Sequence, residues 1–174
     1  MKKALVVVDY QNDFVNGALG FPGAEKIDSI IASKIKRAAS EGDDVIFTLD
    51  THHSDYLKTS EGRHLPAVHC IEGTEGWQLF GETAKQASSC HASFLKKGQF
   101  GSLELGRILS EGAYDQVELC GLVCDICVVS NALIAKAALP EARIVVDSSA
   151  TASFDPEAFK AALKVMRSCQ IEII

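Results

Sequence analysis

The sequence contains no long apolar run. No segment approaches the ~18 consecutive apolar residues of a membrane-spanning helix, so we expect no membrane partner. The N-terminus enters an apolar stretch of only five residues, 4–8, before it meets Asp9. Such a stretch is too short for a secretory signal peptide, which favours a cytoplasmic protein.

The sequence also has no concentration of positive charge. Its formal net charge is −6, and the 17 basic residues are interspersed with 23 acidic ones. Proteins that bind nucleic acid need a basic stripe to neutralise phosphates, so we expect no nucleic-acid partner.

Internal repeats, low-complexity tracts and interdomain linkers are missing as well, which predicts one domain over residues 1–174. Hydrophobic residues make up 47% of the chain and charged residues 23%, which is typical of a globular protein with a substantial core.

Short apolar runs bounded by polar residues or glycine are typical of buried parallel strands. Such runs predict strands at residues 4–8, 45–50, about 91–95, 116–121, 143–147 and 171–174. Helical spacing of apolar residues predicts helices at 27–41, 102–109, 126–139 and after the N-cap Asp155, with Gly42 and Gly112 just past the first two. The alternation predicts an α/β fold with a doubly wound, Rossmann-like, mainly parallel six-stranded sheet and helices on both faces.

Three predicted strands end in residues that can do chemistry. Asp9 follows the first, Asp50 ends the second, and Cys127 lies shortly after the fourth. In open α/β sheets, ligands bind in the crevice beyond the carboxyl ends of the strands. These side chains are therefore expected to meet in one crevice.

A long aperiodic loop follows Asp50. Residues 51–76 hold four of the five histidines, and a loop of this length is usually functional. Asp50, His52 and His69 are ligand types that Zn²⁺, Fe²⁺ or Mn²⁺ accept, and Glu61 is a candidate fourth ligand. Solvated loop histidines are the alternative interpretation, and we expect His53 and His64 to be surface residues.

The cysteines indicate reduced thiols with one catalytic member. The C-x3-C-x2-C spacing of Cys120, Cys124 and Cys127 is that of a radical iron–sulfur site, but Cys120 sits in a strand and Cys127 opens a helix. A helix N-terminus favours thiolate at Cys127, and the turn after Gly121 is placed to aim N–H groups at an oxyanion. Core packing is the alternative role, and the expected one for Cys120 and Cys124.

Thiolate attack on an acyl group needs a proton partner. Asp9 is placed to supply one, because burial at a strand end raises the pKa of a carboxyl group. A cation beside it would balance the charge. Lys97 and its neighbour Lys96 are both candidates on this argument, and solvated surface lysines are the alternative.

Several motifs, in this order, resemble those of the isochorismatase-like cysteine hydrolases, and within them the nicotinamidases. They are V-D-Y-Q-N-D-F at 8–14, T-L-D-T-H at 48–52, P-A-V-H-C at 66–70, I-E-G-T-E-G at 71–76, K-G at 97–98 and G-L-V-C-D-I-C-V at 121–128. The resemblance covers residues 3 to about 150.

This resemblance implies a catalytic triad of Asp9, Lys97 and Cys127. It also implies one divalent metal ion, with zinc first and Fe²⁺ or Mn²⁺ next, and a non-proline cis peptide before the nucleophile turn. The full set of implied site residues is the triad, the metal ligands Asp50, His52, His69 and Glu61, the oxyanion and substrate residues Val123, Leu122, Phe14 and Leu65, and the Cys127 N–H.

The implied activity is hydrolysis of nicotinamide through a cysteine thioester by a homo-oligomer, dimer or tetramer, in NAD salvage. Leu65 departs from the family, which usually has an aromatic residue there, and one extra residue separates Pro66 from His69. Phe14 and Trp77 are candidates to wall an aromatic pocket. Another small amide or carbamoyl substrate is the alternative, followed by a non-catalytic metal or thiol sensor. No chemistry is assigned to the other five cysteines.

Overall fold

The strands follow the apolar runs of the sequence. The protein is described by a computed structural model that covers residues 1–174. Its strands are β1 (Lys3–Val8), β2 (Asp44–Asp50), β3 (Ala92–Lys97), β4 (Gln116–Gly121), β5 (Arg143–Thr151) and β6 (Glu172–Ile173). They form one sheet in the order β3-β2-β1-β4-β5-β6, with every neighbouring pair parallel. This confirms the predicted doubly wound, six-stranded sheet.

Seven α-helices connect or flank the strands. They are α1 (Asn12–Val15), α2 (Asp28–Glu41), α3 (Ser60–His64), α4 (Gly81–Ser89), α5 (Leu103–Gly112), α6 (Val129–Ala138) and α7 (Pro156–Ser168). Single 3₁₀ turns lie at Ala24–Ile27 and Tyr56–Lys58, and a π-helical turn lies at Cys124–Val128. No helix combines the length and apolar character needed to cross a membrane.

The core has two halves, one on each face of the sheet, because successive strand residues point to opposite faces. Val6 and Val8 of β1 belong to a cluster of 21 buried residues that includes apolar side chains of α5, α6 and α7. Leu5 and Val7 belong to a second cluster, of 17 residues, with side chains of α2 and α4. Helices therefore cover both faces, as predicted.

The strand order reverses between β1 and β4, so the switch point of the sheet lies between their carboxyl ends. Gly121, the last residue of β4, has φ of 112°, and a Cβ there would lie 2.1 Å from the carbonyl oxygen of Val8. Glycine thus allows the two strand ends to come together, and Leu122 N–H donates to the Val8 carbonyl at 2.8 Å. Ligand sites of this fold lie at the switch point.

Several helix boundaries differ from prediction. Residues 124–128 form a π-helical turn ahead of α6, with Val128 N–H bonded to the Val123 carbonyl five residues earlier. α5 continues through Gly112, and Ala113 takes the left-handed conformation, with φ of 49°. Gly42 does end α2, and Asp155 caps α7 through the N–H groups of the next turn.

Three helices escaped prediction, namely α3, α4 and the four-residue α1. α3 lies inside the histidine loop, where the Thr59 hydroxyl accepts from Gly62 N–H at 3.0 Å and caps it. α4 is mostly polar, and only Thr83 and Ala87 are buried along it, so its apolar spacing is weak.

Candidate active site and metal centre

Three chemically active side chains converge beyond the carboxyl ends of β1, β3 and β4. Lys97 Nζ lies 2.6 Å from Asp9 Oδ2 and 3.6 Å from Cys127 Sγ. Asp9 leaves β1 with φ of 45°, in the left-handed region. Asp9, Lys97 and Cys127 are 0%, 6% and 3% exposed, so this contact excludes bulk water.

Strand geometry separates the two candidate lysines. Successive residues of β3 point to opposite faces, so Lys96 and Lys97 cannot serve the same site. Lys96 points outward, where its ammonium pairs with Glu72 and lies 5.5 Å from the Trp77 ring centroid. Only Lys97 reaches Asp9.

The Lys97 ammonium is the charge centre of the site. It contacts Asp9, lies 3.4 Å from Asp50 Oδ1 and donates to the Gln99 carbonyl at 2.9 Å. Burial lowers the pKa of Lys97, but the negative charges of Asp9 and Asp50 raise it by more, so the net shift of the Lys97 pKa is upward. The group therefore stays protonated at neutral pH.

Burial raises the pKa of Asp9, and the charge of Lys97 offsets part of this effect. Thr48 Oγ1 donates to Asp9 Oδ1 at 2.7 Å and favours the ionised carboxylate. Asp9 Oδ2 lies 2.6 Å from Lys97 Nζ in a buried ion pair, so one carboxylate oxygen faces the ammonium and the other faces the Thr48 hydroxyl.

The Cys127 thiol does not behave as its helix position predicts. Burial raises its pKa well above the ordinary value, the charge of Asp9 adds to the shift, and Lys97 opposes it. Burial and the charge of Asp9 therefore oppose the thiolate that the position of Cys127 in the turn would favour. Desolvation and the neighbouring carboxylate outweigh the field of a short π-helical turn.

The turn before the nucleophile has the backbone that the resemblance implies, because the Leu122–Val123 peptide bond is cis. No backbone carbonyl accepts a hydrogen bond from Val123 N–H, which leaves this donor available to an oxyanion. The Leu122 side chain is fully buried in the second core cluster and does not line the cavity described below. Leu122 therefore bears on the site through its cis peptide bond with Val123, as the resemblance implies.

Four further side chains form a compact set beside Lys97, with one ligand atom of each within 4.8 Å of all the others. His52 Nε2 and His69 Nε2 lie 3.0 Å and 3.3 Å from Asp50 Oδ2. Both nitrogens lie 3.6 Å from Glu61 Oε1. All four candidates from the sequence are thus together, whereas His53 and His64 are exposed, as predicted.

Neighbouring hydrogen bonds orient the candidate metal ligands toward one another. His69 Nδ1 lies 2.8 Å from the Ala67 carbonyl, which leaves Nε2 facing the carboxylates. The Gln11 side chain brackets the backbone of Asp50, accepting from its N–H at 2.8 Å and donating to its carbonyl at 2.9 Å. Glu61 Oε2 is buried without a hydrogen-bond partner.

The charge balance of this set suits a divalent cation. Burial lowers the pKa of His52, but hydrogen bonds to Asp50 and Glu61 outweigh it and raise the pKa to about 9. The pKa of Asp50 is lowered despite burial, because His52, His69 and Lys97 stabilise its charge. Two imidazoles and two carboxylates are a donor set that Zn²⁺, Fe²⁺ or Mn²⁺ accepts, so the residues fit such an ion.

A cavity of about 490 Å³ opens onto both groups. It is lined by Phe14, Ala18, Leu19, Gly20, Phe21, Asp50, Glu61, Leu65, His69, Phe100, Val123, Ile126, Cys127 and Phe154. Phe14 packs edge-on against His69, with ring centroids 5.5 Å apart. Trp77 does not line this cavity, since its indole N–H donates to the Thr51 hydroxyl at 2.9 Å on another side of β2.

Sequence reasoning missed some supporting residues. Asn131 of α6 accepts from Ser102 N–H at 3.0 Å and donates to the carbonyls of Cys127 and Phe100 at 2.8 Å and 3.0 Å. The signal available in the sequence was a strongly polar amide side chain in a mostly apolar helix. Asp13 Oδ2 accepts from Cys70 N–H at 2.7 Å and ties the histidine loop to α1.

The parallel sheet with a buried cysteine, lysine and aspartate at its switch point defines a class of cysteine hydrolases. The chain belongs to the isochorismatase family, since residues 3–174 match the isochorismatase domain.

Solved structures extend this likeness. The crystal structure of nicotinamidase/pyrazinamidase PncA from Bacillus subtilis is 33% identical, with a TM-score of 0.87 and 99% of each chain covered. The structure of pyrazinamidase of Pyrococcus horikoshii in complex with zinc is 26% identical and has a TM-score of 0.86. The match covers 100% of this chain and 99% of that chain. N-carbamoylsarcosine amidase from Thermoplasma acidophilum is 28% identical, with a TM-score of 0.80, 99% of this chain and 95% of that chain covered.

The two adjacent lysines provide a matched test of the buried charge. Lys97→Ala leaves two buried carboxylates without their cation, and we expect a loss of about 3–5 kcal/mol in the free energy of unfolding. Lys96→Ala removes only a surface ion pair and should change stability little. Urea unfolding of both variants measures the difference, and equal losses would contradict the central role of Lys97.

Metal binding should stabilise the fold. At a free Zn²⁺ or Mn²⁺ concentration of 100 times Kd, the free energy of unfolding should rise by about 2.7 kcal/mol. Thermal unfolding of chelator-treated and metal-supplemented protein measures it. Asp50→Asn and Glu61→Gln should abolish or reduce the metal-induced rise in melting temperature. Glu72 is a surface carboxylate near His53, and Glu72→Gln should retain the full rise. A full shift in Glu61→Gln would exclude Glu61 as a ligand.

Proposed function

We propose that this protein is a metal-dependent cysteine amidohydrolase that converts nicotinamide and water to nicotinate and ammonia through a Cys127 thioester. The observation that carries the proposal is the shared cavity, whose buried floor contains both the Cys127 thiol and the candidate metal ligands Asp50, Glu61 and His69. A flat ring with a ring nitrogen and a carboxamide has two polar groups to place on such a floor. The likeness of the chain to nicotinamidase/pyrazinamidase PncA of Bacillus subtilis and to the pyrazinamidase of Pyrococcus horikoshii supports this choice.

Acylation begins with a proton transfer. Burial and the charge of Asp9 raise the pKa of the Cys127 thiol, so Cys127 gives up its proton as it attacks the amide carbon, and Asp9 is the base beside it. Lys97 stays protonated and balances the charge on the thiolate and Asp9 in turn. Its hydrogen bond to the Gln99 carbonyl fixes the ammonium between them.

The carbonyl oxygen of the amide becomes an oxyanion in this step. Val123 lines the cavity and its N–H has no backbone acceptor, which supports it as a donor to the oxyanion, and the family resemblance adds the N–H of Cys127. Asp9 then returns the proton to the leaving nitrogen, so the C–N bond breaks and ammonia departs. A thioester with Cys127 remains.

Deacylation uses the same groups in reverse. Asp9, ionised again, accepts a proton from water as the water oxygen attacks the thioester carbon. The C–S bond breaks, nicotinate forms, and Asp9 returns the proton to the Cys127 sulfur. Asp50, His52, His69 and Glu61 would hold a divalent ion, which when bound would supply a Lewis acid for the ring nitrogen of the substrate.

A second candidate substrate class is a carbamoyl compound. The structural likeness to N-carbamoylsarcosine amidase favours it, as does Leu65, which lines the cavity where nicotinamidases usually place an aromatic ring. A non-catalytic metal or thiol sensor would have no need for Asp9, Lys97 and Cys127 in mutual contact.

We also propose a cytoplasmic setting in NAD salvage and a homo-oligomeric state. All six cysteines are unpaired, which suits a reducing compartment. The dimer or tetramer rests on the family resemblance alone.

Ammonia release from nicotinamide tests the proposed function directly. Cys127→Ala should abolish release, because the nucleophile is lost. Cys124→Ala is the matched control, since Cys124 is equally buried in the same turn but does not line the cavity, and it should remain active. Thioester formation is checked by mass spectrometry of acid-quenched protein. Turnover by Cys127→Ala would rule out the thioester mechanism.

The pH dependence of kcat/KM should report the ionisation of Asp9. Activity requires the carboxylate, so it is present above the pKa of Asp9 in the folded protein and is lost as the pH falls through it. Thr48→Val removes a hydrogen bond that lowers this pKa, so the acid limb should move to higher pH. Thr83→Val, another buried threonine, should leave the limb in place. An unchanged limb in Thr48→Val would exclude Asp9 as the titrating base.

A further inference from the structure

The cavity changes character from floor to mouth. On the floor, Asp50, Glu61, His69 and Cys127 are each 9% exposed or less. At the mouth, Leu65, Phe100 and Phe154 are 40%, 42% and 64% exposed. Phe21 meets Phe154 edge-on, with ring centroids 6.3 Å apart. These four residues, Phe21, Leu65, Phe100 and Phe154, are called the outer wall.

The outer wall carries no positive charge. The only charged or titratable side chains among the lining residues are those on the floor, and no lysine or arginine lines the cavity. A carboxylate on a bound substrate would lose water against aromatic rings without gaining a cation. It would also share the cavity with Asp50 and Glu61. The wall is therefore suited to neutral, apolar groups.

The cavity is larger than one ring requires. Its volume of about 490 Å³ lies within the range of roughly 300–1,000 Å³ that holds drug-sized ligands. A pyridine carboxamide is a much smaller molecule. When its amide carbon and ring nitrogen both face the floor, the ring carbon between them faces the floor too. The opposite carbon, C5, then points to the mouth.

We propose that the outer wall is a subsite for a neutral apolar substituent at C5 of the ring, and that it selects against amides that carry a carboxylate there. The inference rests on the proposed function, because the floor must orient the ring. Phe154 is the specificity-determining residue, since it is the most exposed member of the wall and contacts Phe21 across the mouth. The wall thereby extends the substrate class from nicotinamide to its 5-alkyl derivatives.

The test compares kcat/KM for nicotinamide, 5-propylnicotinamide and 5-carboxynicotinamide. The wild type should accept the propyl compound at least as well as nicotinamide and the carboxylate at least about 100-fold less well. Phe154→Ala should lower kcat/KM for the propyl compound roughly tenfold, the scale of a lost apolar contact in a pocket, and should lower the value for nicotinamide by a clearly smaller factor. Phe154→Lys should raise the value for the carboxylate.

Phe94→Ala is the matched control, because Phe94 is 49% exposed but lies on β3 outside the cavity. It should alter none of the three values. Calorimetric binding of 5-propylnicotinamide to metal-loaded Cys127→Ala supplies a readout without turnover. There, adding Phe154→Ala should weaken binding by the same factor as it lowers kcat/KM.

Three results would overturn the subsite. One is an equal fall in kcat/KM for nicotinamide and 5-propylnicotinamide in Phe154→Ala, a result that is still consistent with the proposed function. Another is a changed sedimentation coefficient of Phe154→Ala without changed selectivity, which would make the wall an interface between copies of the chain. The third is a wild type inactive on nicotinamide itself, in which case the proposed function fails and the inference with it.

Discussion

The Lys97 ammonium is the group on which the candidate active site depends. Parallel strand ends bring Asp9 and Asp50 onto neighbouring positions, and two carboxylates buried this closely repel each other unless a cation lies between them. Lys97 supplies that cation from the end of β3 and also reaches the Cys127 sulfur. The candidate nucleophile, its candidate base and one candidate metal ligand are therefore held by one positive charge.

The strand order explains why these groups meet. β1 is central, with β2 on one side and β4 on the other, so residues after β1, at the end of β2 and after β4 surround one point. β3 lies beyond β2, and a long side chain is required to reach back from it. Lysine has that reach, and its buried stem packs in the interior while its charge stays at the strand ends.

Much of this arrangement could be predicted from the sequence. Apolar runs located the strands, and their order along the chain placed Asp9, Asp50 and Cys127 at one edge. Other features depend on tertiary contacts and have no local signal. Glu61 was a candidate from its side-chain chemistry, but the helix α3 that carries it to the other candidate ligands was not predicted, and the raised pKa of Cys127 reflects its burial against Asp9. The mouth of the cavity combines Phe21, Phe100 and Phe154, which lie far apart in the sequence.

The hydrogen bonds of Asn131 limit which positions of the cavity wall can change without disturbing Cys127. One amide holds the carbonyl of Cys127 together with the backbone of residues 100 and 102, which carries the Phe100 portion of the outer wall. A backbone shift at residue 100 is thus transmitted to the turn that positions the sulfur. Leu65 and Phe154, which lie on other segments, can vary without this penalty. During evolution, new substrate preferences should therefore accumulate at positions 65 and 154 sooner than at position 100.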